Sequence, residues 1–108
     1  MLVPDVLNIG ALDDGREGCI RSIWRQAGRY HFASLQDRNP VVAVRHNGYA
    51  VALIDILHDI ATEDEVKAVT GESLMQKRKE IIAVQDKLET RSMKLLEELA
   101  KRGMVVDF

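Results

Sequence analysis

A seven-residue spacing of apolar side chains dominates the last third of this sequence. Leu74, Ile81, Leu88 and Leu95 follow one another at that interval, and Met75, Ile82, Leu96 and Leu99 widen the stripe. Glu, Lys and Arg surround it, so residues 73 to 102 read as one long amphipathic helix. Glu72 or Ser73 opens it and Gly103 is the expected stop. The alternate seam positions hold Arg78, Gln85 and Ser92, which leaves the heptad half filled. A long two-stranded coiled coil is weak on that pattern. Packing against another surface, or closing a dimer, suits it better. In a chain of 108 residues, a helix this long leaves room for one compact unit beside it.

Charge divides the chain in the same place. The net charge is −2, which excludes a globally basic nucleic-acid binder. Yet the first sixty residues hold six Arg, no Lys and seven acids, and the remainder holds six Lys, three Arg and ten acids. Between Arg16 and Arg45 all six of those arginines face only Glu17 and Asp37, a local balance of +4. The expected organisation is a compact unit over residues 1–61 and a helical arm over 62–108. No apolar run approaches the ~20 residues of a bilayer span. The start of the chain lacks a signal-peptide pattern, and one cysteine forms neither an internal disulfide nor a Cys-based zinc cluster. A cytoplasmic protein with no membrane partner is the expectation.

Along the first unit, Val6 to Leu12 alternates like a short strand and ends at the turn-like Asp13-Asp14-Gly15. From Gly18 to about Asp37 the pattern is helical, with Ile20, Ile23, Trp24, Ala27, His31 and Leu35 at three- and four-residue spacing. A strand at residues 19–24 followed by a helix from Gln26 is the alternative. Asn39-Pro40 stops that helix. Val41-Val42-Ala43-Val44 and Tyr49-Ala50-Val51-Ala52-Leu53-Ile54 then flank Arg45-His46-Asn47-Gly48. Asn-Gly supplies the two positive-φ residues of a type I′ turn, so the segment predicts a β-hairpin. Residues 55–61 predict a helix, and Thr62 with Glu65 predicts a capping box that starts a short one through Val69. The expected fold class is α+β: a small sheet with a central hairpin packed on short helices, a long C-terminal helix, and a dimer.

This order of elements resembles the Phd/YefM family, the prevent-host-death antitoxins of type II toxin–antitoxin modules. The likeness rests on Asn39-Pro40-Val41-Val42-Ala43-Val44-Arg45-His46-Asn47-Gly48-Tyr49-Ala50-Val51-Ala52-Leu53-Ile54, with residues 24–35 similar to that family's first helix. Val44 stands where the family usually has Thr. The resemblance implies a homodimer that grips a double-stranded operator with arginines near helix N-termini, and a C-terminal segment that wraps a toxin.

Arg21, Arg25 and Arg29 lie four apart, so a helix sets them on one face, and guanidinium groups suit bidentate contacts to phosphate and guanine. The resemblance implies that Arg25 and Arg29 are the foremost DNA contacts and that Arg45 joins them from the hairpin as a phosphate contact. The plainer reading is a solvated helix face. On the arm, Leu74, Ile81, Leu88, Leu95 and Leu99 are the candidate partner-binding residues, and packing on the chain's own first unit is the plainer reading. Residues 104–108 form an apolar end with one charge, able to dock a partner or to fray. Trp24, Tyr30 and Phe32 suit core packing better than base stacking. His31, His46 and His58 share no metal-ligand spacing, and Cys19 has no His–acid pair beside it in sequence. No phosphate-loop, hydrolase or dinucleotide motif occurs, so no enzyme, cofactor or metal is expected. The leading expectation is a DNA-binding antitoxin-like autoregulator. The alternative is a dimeric adaptor or accessory protein that acts through its long helix without binding DNA.

Overall fold

The structure, a computed structural model, describes residues 15–103. The strand expected at residues 6–12, the turn at Asp13 and Asp14, and the apolar end at 104–108 lie outside them. Four helices make up the fold: α1 (Gly15–Gln36), α2 (Pro40–Ile60), α3 (Glu63–Thr70) and α4 (Leu74–Lys101). Among the described residues there is no strand, so the fold is all-helical and the expected α+β class is corrected.

The error lies in residues 41–54. Asn39 and Pro40 do end one helix, but they also begin the next. The Asn39 side chain accepts from the Val41 amide at 3.0 Å, and Pro40 occupies the first turn, where its missing N–H costs nothing. From there Ala43, Asn47, Ala50, Ile54 and Leu57 are buried at alternating four- and three-residue steps. That is a helical seam. Asn47 and Gly48 sit inside it, and positive φ occurs only at Gly15, Gly71 and Gly103 among the described residues. The type I′ turn is therefore absent. β-branched propensity is a weak prior that tertiary packing overrides.

α1 and α2 form an antiparallel pair around the short turn at residues 37–39, and α4 packs antiparallel on another side of α2. Asp55 opposes Arg78, and Val44 and Asn47 oppose Gln85. At one end Ile20, Ile23, Leu53, Ile54, Leu57, Val66 and Leu74 form a continuous apolar cluster, with α3 closing it. Ala27, Ala43 and Ala50 are fully buried, and their small side chains let the helix axes approach. The expected boundary at residue 61 therefore falls between elements of one packed body, since the arm buries Leu74, Ile81 and Leu88 against the first unit.

The helix ends follow their capping residues. Thr62 accepts from the Glu65 amide at 3.1 Å while Glu65 accepts from the Thr62 amide at 3.2 Å, completing the expected capping box. Gly71 takes the left-handed conformation after α3, at φ 78°. Ser73 caps α4 by accepting from the Gln76 amide at 3.2 Å. Glu63 reaches from α3 to accept the Met75 amide at 2.9 Å, so the start of α4 is tied to the start of α3. Arg16 binds Glu65 through Nε at 2.6 Å and Nη2 at 2.9 Å, and also donates to the Ile60 carbonyl, which fastens the beginning of α1 to the same corner.

Candidate docking surfaces

Where the three long helices meet, the core turns polar. Asn47 is 0 % exposed, and its amide nitrogen donates to the Ile81 carbonyl at 2.8 Å and to Gln85 Oε1 at 2.9 Å. Those two acceptors fix the orientation of the amide, so its oxygen faces His31 Nδ1 at 2.8 Å and the ring carries a proton on that nitrogen. Ser34 adds a weaker contact to the same oxygen at 3.5 Å. Gln85 also donates to the Val44 carbonyl at 3.2 Å. α1, α2 and α4 are thus bolted together at one side chain. The seam positions that look vacant in the sequence of α4 are filled by polar partners: Gln85 meets Asn47, and Arg78 Nε donates to Asp55 at 3.0 Å.

The core as a whole consumes much of what the sequence offers as partner-binding residues. Leu74, Ile81 and Leu88 are buried in the chain's own core and are not open to a partner. Leu95 and Leu99 are half-buried on the far part of α4. Helix α4 has 28 residues, about 42 Å, against 21 in α2. The antiparallel register brings Pro40, the first residue of α2, level with Ser92, so residues 93–101 run on for about 13 Å beyond it. The molecule is accordingly elongated, 53 × 26 × 21 Å. Met93, 62 % exposed, lies on this projection.

Arg21, Arg25 and Arg29 do share the outward side of α1, as their spacing implies. Arg25 and Arg29 are exposed and Arg21 is half-buried. Arg45 is exposed on α2, one turn before Tyr49. Tyr30, which follows Arg29, lies 5.1 Å from the Tyr49 ring and 6.4 Å from that of His46, which follows Arg45. The buried Nδ1 of His46 has no hydrogen-bond partner among the described residues.

The aromatic residues divide. Trp24 packs against the core, donates to Glu72 at 3.3 Å and lies under the Lys77 ammonium, while Tyr30 is half-buried. Phe32 is instead 64 % exposed and Leu35 56 % exposed, against the inward placement expected of both. Both stand on the arginine side of α1. Their signal in the sequence is a second four-three spacing, Arg21, Arg25, Gly28, Phe32 and Leu35, interleaved with the inward set Ile20, Ile23, Ala27 and Ser34. Gly28, in the middle of it, has nothing within 4 Å of where a Cβ would stand.

Little else gathers. No group of three metal-ligating side chains occurs among the described residues, and Cys19 is a half-buried free thiol. A shallow depression of about 110 Å³ lies between His58, Met75, Arg78, Lys79 and Ile82, with Arg78 already paired to Asp55. No described helix is long and apolar enough to cross a membrane. Compared with known proteins, the chain matches no family model, no curated protein and no solved structure.

Proposed function

We propose that this chain is a helical adaptor that pairs with a second copy of itself through the projecting end of α4. The observation that carries the reading is the overrun of α4 past α2. The stripe that is core at Leu74, Ile81 and Leu88 continues as Leu95, Leu96 and Leu99 where α2 has ended. An amphipathic stripe stabilises only when it is covered, and helix pairing covers it at the same spacing. A core of about ninety described residues also gains from association, since a small domain buries a modest share of its surface. Operator binding as an antitoxin lost its main support with the hairpin that carried the family likeness. Its remaining support is the arginine row, which a protein partner uses equally well.

Sedimentation of the full chain over a concentration series tests this. A dimer is expected, with Leu95→Glu/Leu99→Glu monomeric at unchanged helical circular dichroism. A wild-type chain that stays monomeric throughout the series would refute the reading.

A further inference from the structure

We infer that the outward face of α1 is a docking seam for an acidic amphipathic helix of another protein. Three observations converge on it. First, the face has the geometry of a helix–helix contact. Arg25, Gly28, Phe32 and Leu35 follow the three- and four-residue alternation that lets one helix seat its side chains between those of another. Second, its chemistry is that of a binding hot spot rather than a solvated surface. A phenyl ring that is 64 % exposed, with a leucine 56 % exposed one turn on, is flanked by Arg25 and Arg29. Aromatic and arginine side chains dominate the energetics of interfaces, where the ring fills a pocket and the charges stand around it. Third, Gly28 leaves a gap beside Phe32. A helical glycine in open space is less stable than alanine there, and no contact within the chain requires it. The gap admits a partner backbone that any larger residue would hold off.

Charge selects the occupant. Between Gly18 and Gln36 the helix has no Asp or Glu, so Arg25 and Arg29 have no acidic neighbour within a turn along their own element. A partner helix with small or leucine side chains along its seam and Glu or Asp on its flanks satisfies the apolar strip and the guanidinium groups together. Double-stranded nucleic acid meets the arginines but leaves Phe32 and Leu35 without a partner. The seam is distinct from the end of α4, and its test does not depend on self-association.

Binding is measured on the full chain with a designed monomeric helical peptide carrying Leu and Ala at seam positions and Glu on both flanks. A scrambled peptide of the same composition, single-stranded DNA and duplex DNA serve as the other probes. The ordered peptide is expected to bind, and the scrambled one to bind at least about tenfold more weakly. Phe32→Ala and Arg25→Glu/Arg29→Glu are each expected to weaken the ordered peptide by about tenfold or more. Gly28→Leu gives the decisive contrast: thermal stability is unchanged or raised, while peptide binding is lost. Equal binding of ordered and scrambled peptides would overturn the proposal, as would binding that survives Gly28→Leu and Phe32→Ala. Selective capture of either DNA, with no peptide binding, would reassign the face to nucleic acid. Absence of binding by every probe would also overturn the proposal.

Discussion

Two stretches of the same bundle are held together by opposite means. Near α3, Ile20, Ile23, Leu53, Ile54, Leu57, Val66 and Leu74 exclude water with side chains that have few directional demands. Two turns away, at Asn47, the contact between the same three long helices is made by hydrogen bonds of fixed length and direction. The apolar end supplies the larger share of stability, because burial of hydrocarbon scales with area and tolerates small adjustments. The polar layer supplies discrimination. Each of its groups is satisfied in one alignment, and leaving one unsatisfied in the interior costs more than the bond itself gained.

The widest gap between the two stretches is expected from truncation. Leu57→Ala, in the apolar end, should lower unfolding free energy by about 2–5 kcal/mol, read from chemical denaturation. A loss below 1 kcal/mol would mean that this end is not the main source of stability. Asn47→Leu keeps the volume but strands Gln85 Oε1 and His31 Nδ1, and should cost about 1–3 kcal/mol. Combined with Gln85→Leu it should cost less than the sum of the two single changes, because a pair removed together leaves fewer orphaned groups. Strict additivity would show that the layer is not coupled. Gly28→Ala, remote from both stretches, should raise stability by about 0.5–1 kcal/mol in the same assay. The smallest effect concerns the corner that closes the apolar end. The Arg16 guanidinium, and after it the Thr62 amide, hold the Glu65 carboxyl down to about 2 from its ordinary 4.5. A carboxyl depressed on folding contributes stability that is complete above its unfolded value and is lost as pH falls from about 5 towards 2. Wild type should therefore lose more thermal stability over that window than Glu65→Gln, and equal losses would remove the Arg16–Glu65 pair from the account.

The two stretches also differ in how far they can be read from residues alone. Around α3 and α4 the helix ends were legible from their capping residues: Thr62 and Glu65, Gly71, Ser73 and Gly103 all act as their types suggest. Asn39 and Pro40, by contrast, read only as a stop and not as the cap of α2. Helix α2 itself was not legible. It is covered by α1 and α4 on different sides, so apolar residues occupy most of its circumference and the 3.6-residue period fades into short β-branched runs. Asn47-Gly48 then presents as a turn, although Asn47 is the most thoroughly bonded side chain of the core. Gly48 has Gln85 Nε2 3.7 Å from where its Cβ would be. The Arg78, Gln85 and Ser92 seam looked incomplete because its partners Asp55 and Asn47 lie on another helix, which no single-helix pattern reveals. On α1 the arginine row was visible from its spacing. The exposure of Phe32 was hidden because two seams of equal periodicity share that helix, and spacing alone does not say which one faces inward.

The Asn47 layer has a mechanical consequence. A slip of α4 by one heptad along α2 would keep leucines and isoleucines in register but bring Arg78 or Ser92 to the place of Gln85. Arg78 offers no acceptor, and the short Ser92 hydroxyl lacks the reach of the Gln85 amide oxygen that takes the Asn47 Nδ2 proton there. The Asp55–Arg78 pair would break in the same movement. Helix α4 therefore works as a strut and not as a piston. Whatever load is placed on its projecting end reaches the α1–α2 pair as tilt or torque about a fixed pin.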